Sequence, residues 1–286
     1  MALIKIQDYI NNNEISYHME DRLKNSLDEK VIKALDKKDK DYVLAIDGME
    51  GAGKSTLAFQ IGRYVDNTLG LSRICFDAKE FRQAIFDARK GQCVIYDEAF
   101  TGLSSRAALS EVNRMLISLM MQMRQKNLFV IIVLPTFFLL DKYVALFRAR
   151  TLIHVFESKG KRGFFRLFNR KKKKLLYLTG KQTYTYTKVK TNFHGKFYGK
   201  FALGDDAMER EYKRMKSKAL ESVEKKGYEN INSKYKRQRD WALYYLKKEA
   251  DLTYMQMESM MKSCKNPLAK SQLGLICSRF EENMAN

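Results

Sequence analysis

Paired cysteines are missing from this sequence. Cys75, Cys93, Cys264 and Cys277 show no metal-ligand spacing, which argues against a zinc ribbon or a disulfide scaffold. Cys75 and Cys93 fall in apparent core strands, so buried free thiols in a reducing compartment are expected. Long apolar runs are missing too. The longest, Leu128 to Leu140, is too short to span a bilayer and contains Pro135. Met1 to Tyr17 has no basic start followed by an apolar stretch, so no signal peptide is expected. These absences point to a cytoplasmic protein without a membrane span. Acids are in short supply: 33 Asp and Glu stand against 53 Lys and Arg, a net charge of +20. That excess suggests a polyanionic partner, nucleic acid or an anionic membrane surface, with a lysine-rich proteome as the bland alternative.

The shortage of acids is concentrated. From Lys159 to Lys200 no Asp or Glu occurs, while aromatics such as Phe164, Phe168, Tyr184, Tyr186 and Phe197 are interleaved with the bases. Thr183 to Thr187 alternates at period two and reads as strand. The expectation for 157–204 is a basic β-rich appendage whose charges meet phosphates and whose aromatics stack on bases if the strand is single. A membrane role for Arg170 to Lys174 lacks an amphipathic apolar partner in the sequence.

What is present centres on residues 46–56, Ile-Asp-Gly-Met-Glu-Gly-Ala-Gly-Lys-Ser-Thr. Gly48, four residues, then Gly53-Lys54-Ser55 fits the phosphate-binding Walker A pattern. An apolar run from Tyr42 to Ile46 precedes it, and an apolar-periodic stretch from Leu57 to Val65 follows. Strand, glycine loop and helix are the context this motif needs. Gly48, Met49, Glu50, Gly51, Ala52, Gly53, Lys54, Ser55 and Thr56 are the expected nucleotide-binding residues. The glycines let the backbone turn its N–H groups inward around a phosphate. Lys54 would reach the β- and γ-phosphates, and Ser55 would hold Mg2+. The alternative is a chance glycine turn before a helix.

About 40 residues on, Gln92 to Tyr96 reads as a strand ending in Asp97-Glu98, a Walker B pattern. Asp97 would hold the metal and Glu98 would orient or deprotonate the attacking water. Further strands are expected at Arg73 to Phe76, Leu128 to Leu134 and Arg150 to Phe156. Helices are expected at Ala78 to Arg89 and Arg106 to Lys126. Strands alternating with helices imply an α/β fold with a mainly parallel sheet covered on both faces. Residues 1–41 are expected as an N-terminal helical segment, 42–156 as the core and 205–286 as a C-terminal helical domain. That last domain has helices near 209–226, 235–249, 253–261 and 268–281; the final ones could make a helix-turn-helix, or a small helical cap with a polar outer face. Lys270, Ser271, Gln272 and Arg279 are candidates for groove contacts, and the cluster of Met255, Met257, Met260 and Met261 reads as core.

Taken together, 48–56 and 94–98 resemble the P-loop NTPases that carry an additional strand between the Walker A and Walker B strands. The resemblance covers 42–156. Met123 to Asn127 before an apolar strand, then Phe138 to Lys142, looks like the FtsK/HerA and Zot-like DNA-pumping ATPases. Those families usually place a polar residue, often Gln, at the end of that strand; here the nearest candidates are Pro135 and Thr136, and Thr136 would contact the γ-phosphate or the water. The resemblance implies an ATP-hydrolysing motor on DNA that uses Mg2+. It implies a packaging, segregation or transfer ATPase of a virus or mobile element, acting in the host cytoplasm if viral. It also implies a homo-oligomer, such as a ring, with a capsid or transfer apparatus as a further partner. An arginine from a neighbouring subunit is expected to neutralise charge, with Arg106, Arg124, Arg148 and Arg150 as candidates and Arg124 best placed. Two rivals stand. The P-loop also looks like that of thymidylate-type kinases, although Glu98 follows the acid where those tend to carry arginine. A nucleotide-gated DNA-binding switch is the other.

Overall fold

In the computed structural model, residues 1–7, 14–37, 39–97, 114, 117–119, 123–202, 206–262 and 268–285 are described, without side chains at 220, 222–237 and 282–285. The chain divides into two units, 1–221 and 222–286. The first is an α/β unit built on one mixed sheet.

Among the described residues the sheet has nine strands. They are β1 (Ala2–Gln7), β2 (Glu14–Met19), β3 (Tyr42–Gly48), β4 (Ile74–Cys75), β5 (Cys93–Tyr96), β6 (Phe129–Leu134), β7 (Ala149–Ser158), β8 (Lys161–Phe168) and β9 (Phe193–Tyr198). Their order is β1-β2-β9-β8-β7-β3-β6-β5-β4. The five strands from β7 to β4 are parallel, and the four from β8 to β1 run on antiparallel. Strand β6 lies between β3 and β5, so an extra strand separates the glycine loop from Asp97.

The parallel strands read as continuous apolar runs because both faces are covered. Period two sorts their side chains. Leu44, Ile46, Ile131, Val133, Ile153 and Val155 face one core, with α3 (Lys54–Val65) on it; α1 (Asp21–Ser26) and α2 (Lys33–Asp36) supply Leu23 and Leu35 to that core. Val43, Ala45, Val94, Val130, Ile132 and Leu152 face the other, with α4 (Ala78–Asp87) and α5 (Arg170–Gly180) on it. Asp77 caps α4, its side chain accepting from the N–H groups of Lys79 and Glu80. Cys75 and Cys93 are buried free thiols in β4 and β5, and burial pushes both thiols up. Cys264 lies outside the described residues.

Three sequence expectations are corrected here. Residues 2–7 and 14–19 are paired antiparallel strands, not helix: Ile4 and Ile6, then Tyr17 and Met19, are buried at period two and pack on the α3 side of the sheet. Among the described residues of the N-terminal segment only 21–36 is helical, burying Leu23, Leu27, Val31 and Leu35. Residues 157–204 are no separate appendage, because β8 and β9 continue the central sheet by pairing with β7 and β2. Thr183 to Thr187 is turn, since its Tyr184 and Tyr186 fold onto the Phe138 ring instead of forming a strand face. The lysine run starts α5, capped by Asn169, whose side chain accepts from the Lys172 N–H. The helix expected at 106–126 is described only at 114, 117–119 and 123–126; of these, 126 is turn and the others are helical.

Helix α6 (Asp206–Lys248) replaces the two expected helices at 209–226 and 235–249. The second unit holds its end, α7 (Tyr254–Met261) and α8 (Lys270–Ala285), around Leu243, Met257 and Leu273. Thr253 opens α7 with a capping box to Gln256. Of the methionine cluster, Met257 is core, whereas Met255 and Met260 are exposed, because the short helix turns only one side inward. Lys270, Ser271, Gln272 and Arg279 lie exposed on α8, and 263–267 between the last helices is outside the described residues. Among the described residues no helix is long and apolar enough to cross a membrane.

Candidate functional site: the glycine loop and its walls

The loop 49–53 leaves the C-terminal end of β3 and enters α3, in the position where open α/β sheets place ligands. Gly53 precedes α3 with φ +101°, and Gly51 has φ +77°; both are left-handed, where a side chain is strained. Gly48 combines φ +145° with a close approach: a Cβ there would stand 2.1 Å from the Val155 carbonyl oxygen. β3 and β7 can pair to the end of the strand only because that Cβ is absent.

Lys54 folds back over the loop. Its Nζ donates to the carbonyls of Gly48 at 2.8 Å and Met49 at 2.9 Å. The next residue reaches sideways across β6: the Ser55 hydroxyl donates to Asp97 Oδ1 at 3.1 Å. Asp97 is fully buried at the end of β5, its N–H held by the Cys75 carbonyl at 2.8 Å. Its second oxygen accepts from the Tyr212 hydroxyl at 2.6 Å. Tyr212 is buried edge-on against Phe59 of α3, with ring centroids 4.8 Å apart. Ser55, Asp97 and Tyr212 thus form one line of oxygens beside the loop.

A cavity of about 650 Å3 covers the loop. Its floor is 50–56; its walls include Arg162, Phe197, Phe201, Tyr212, Lys213 and Lys216. The Arg162 guanidinium hangs near Gly51 and pairs with Glu157 at 3.1 Å. The volume suits a nucleotide-sized ligand. The α3 N-terminus and four cationic side chains, Lys54, Arg162, Lys213 and Lys216, suit a polyphosphate. Ser55 and Asp97 offer adjacent hard oxygens, a donor set that fits Mg2+, which takes few protein ligands and shares phosphate oxygens. Among the described residues no group of three or more His, Cys, Asp and Glu side chains forms a closed metal cage.

A second network sits on the other side of the loop. Asp47 is fully buried; its Oδ2 accepts from the Phe137 N–H at 2.7 Å and from the Tyr186 hydroxyl, and its Oδ1 lies 3.0 Å from His154 Nδ1. Burial and the Asp47 carboxylate both push the Tyr186 hydroxyl up, so it stays a donor. Thr136, expected to meet a phosphate or water, has its hydroxyl 3.0 Å from that of Tyr186.

The sequence-derived residues divide accordingly. Gly48 to Thr56 and Asp97 come together. Glu98 and Arg106 lie outside the described residues. Arg124 is exposed before the start of β6, a strand length of about 20 Å from the loop edge. It does not enter the site of its own chain. Arg148 and Arg150 also sit at the strand-start edge, where both face Asp41. Tyr212, Lys213 and Lys216 went unread in the sequence because they look like any part of a charged helix. No signal short of the fold marks them. Arg162 and Phe197 were visible only as members of the basic stretch. Comparison of the chain with protein-family models and with curated proteins finds no match.

Proposed function

We propose that this chain is a P-loop NTPase of the additional-strand class that hydrolyses ATP and acts as a motor on DNA. The observation that carries the reading is the Ser55 to Asp97 hydrogen bond across the intervening β6, directly beside a glycine loop crowned by Lys54. In this reading Lys54 leaves the Gly48 and Met49 carbonyls for the charged oxygens of the β- and γ-phosphates, which are stronger acceptors. The loop N–H groups hold the phosphates, and Phe197 and Phe201 wall the cavity against water. Ser55 and Asp97 would hold Mg2+, which supplies charge neutralisation on the phosphates. Glu98, next to Asp97, would take the proton of the attacking water. Arg162 supplies positive charge from within the chain, and Arg124 can contribute only from a neighbouring subunit.

The DNA half of the reading rests on the acid-free stretch 159–200 and the net charge of +20. The test is steady-state ATP turnover with and without DNA. Turnover that Lys54→Ala abolishes and DNA raises supports a motor; turnover indifferent to DNA, with no DNA shift at low salt, rules it out. Phosphate found on a nucleoside or nucleotide by product mass would make the chain a kinase instead. One observation favours the switch reading: Tyr212 ties α6 to the acid proposed for the metal. Slow hydrolysis with nucleotide-dependent DNA affinity would select that alternative.

A further inference from the structure

The register of β7, β8 and β9 lines up aromatic and basic side chains in two rows on one sheet face. Phe156 pairs with Phe164, and Phe164 with Lys196, so the first row crosses three strands. His154 pairs with Arg166, and Arg166 with His194, making the second. Tyr198 follows Lys196 on β9 and pairs with His18 of β2. Alternation sends the neighbours Val155, Phe165, Leu167 and Phe197 to the buried side. Apart from His154, which stacks on Tyr186 with ring centroids 3.8 Å apart, the row residues reach solvent: His194, Lys196 and Tyr198 are exposed, and Phe156, Phe164 and Arg166 are half-buried.

Two rings carry a cation over them. The Arg166 guanidinium carbon is 4.7 Å from the Phe156 ring centre, and Lys196 Nζ is 5.0 Å from that of Phe164. The two rings are 5.9 Å apart and tilted by 33°. Each ring face is therefore flanked by a long, mobile charge that can move to a phosphate while a base takes the ring. Asp47 is a carboxylate in contact with the rows, through His154, and it is fully buried; Glu157, next to Phe156 on β7, pairs with Arg162 at the loop cavity.

We propose that this face is a stacking platform for single-stranded nucleic acid, with Phe156 and Phe164 under successive bases and Arg166 and Lys196 on the backbone. The proposal rests on the reading that the chain acts on nucleic acid, and it adds the strandedness. A duplex hides its base faces, so flat rings gain little from it; an unpaired strand offers a π-face at every nucleotide. Charge alone would serve either form. The platform also adjoins the ATP site: the Val155 carbonyl abuts Gly48, and His154 contacts Asp47, the residue before the loop.

The test uses the full chain and fluorescence anisotropy. The probes are a labelled oligothymidylate of about 20 nucleotides, a blunt duplex of equal length and heparin as competitor. The variants are Phe164→Leu, which keeps apolar volume and loses the ring, and Lys196→Gln, at an exposed position. The expected result is tighter binding of oligothymidylate than duplex, weakened about 5- to 100-fold by Phe164→Leu. Lys196→Gln should flatten the salt dependence by about one counterion. An unchanged melting transition of Phe164→Leu shows that the loss is local; if that variant is unfolded, the Lys196→Gln salt slope and the probe preference decide. Duplex bound at least as tightly, unaffected by Phe164→Leu, overturns the platform and leaves the motor reading standing if duplex raises ATP turnover. Heparin displacing the oligonucleotide equally from parent and variant reduces the face to charge and overturns it. A shift in oligomeric state of Phe164→Leu without nucleic acid gives the face to a second copy and overturns it. No binding of either nucleic acid, with no effect on turnover, sinks both proposals together.

Discussion

Replacing Tyr212 with Phe removes one oxygen and keeps the ring. The ring contacts to Phe59 at 4.8 Å, Phe201 at 5.4 Å and Phe76 at 5.7 Å are aromatic and survive the change. What is lost is the hydroxyl that donates to Asp97 Oδ2 at 2.6 Å inside the fold. A hydrogen bond to a charged acceptor contributes about 1.5–3 kcal/mol, and the buried carboxylate is left with one donor fewer. In a unit of this size that loss lowers the melting temperature by roughly 3–12 °C. Ser55→Ala removes a donor from the other oxygen of the same carboxylate. The two losses should therefore not add, and a double-mutant cycle should return about 0.5–3 kcal/mol of coupling. Thermal and urea unfolding of the four proteins measure both quantities. Mg-ATP supplies the second arm: if Asp97 turns to the metal, the parent gives up the Tyr212 bond on binding and Tyr212→Phe does not. The variant should then bind Mg-ATP more tightly than the parent. A Tyr212→Phe protein as stable as the parent, or one strictly additive with Ser55→Ala, would refute the shared-carboxylate reasoning.

Three more outcomes are expected. Lys173 is fully buried on α5, its ammonium donating to the Ala145 carbonyl, and burial, then Lys174 and Arg170, lowers its pKa from 10.5 to about 7. Between those two values the unfolded chain holds a proton that the fold does not. Stability therefore climbs as pH rises from about 7 toward 10, by at most about 5 kcal/mol, and below about 7, where both states hold the proton, this group adds no further slope. Lys173→Met should remove that slope in urea titrations run across the range, and a slope that persists would assign it elsewhere. Gly48→Ala puts a carbon 2.1 Å from the Val155 oxygen at a positive φ, so a loss of at least about 3 kcal/mol and of ATP binding is expected by melting and by nucleotide titration. Glu98→Gln should bind ATP at parental affinity while hydrolysis falls at least about 100-fold; parental turnover would remove Glu98 from the proton step.

The parallel half of the sheet was legible because its strands are buried on both faces and leave unbroken apolar runs. Val43 to Ile46 and Phe129 to Leu134 needed no partner to be read. The glycine loop was legible because its residue types are dictated by backbone geometry. The paired strands at 2–7 and 14–19 were not, because each is six residues long and turns only two or three side chains inward. Ile4 and Ile6, or Tyr17 and Met19, fit a helical stripe as well as a strand until the sheet supplies a face. Thr183 to Thr187 failed in the opposite sense: the alternation is present, but the partner strand is not. Tyr212 illustrates the harder limit. Nothing near it in sequence separates it from the other polar positions of α6. Its meaning comes from Asp97, 115 residues away in the chain.

The pairing of β2 with β9 sets an order of assembly. His18 and Met19 meet their partners Tyr198 and Phe197 only after almost 180 further residues have been added. At roughly 5–20 residues per second, the amino-terminal ribbon waits on the order of ten to forty seconds during synthesis with one edge unclaimed. The parallel centre, 42–158, is complete well before that. Growth of the sheet therefore runs outward from the glycine loop, and β1 and β2, made before that loop, are among the last strands to dock.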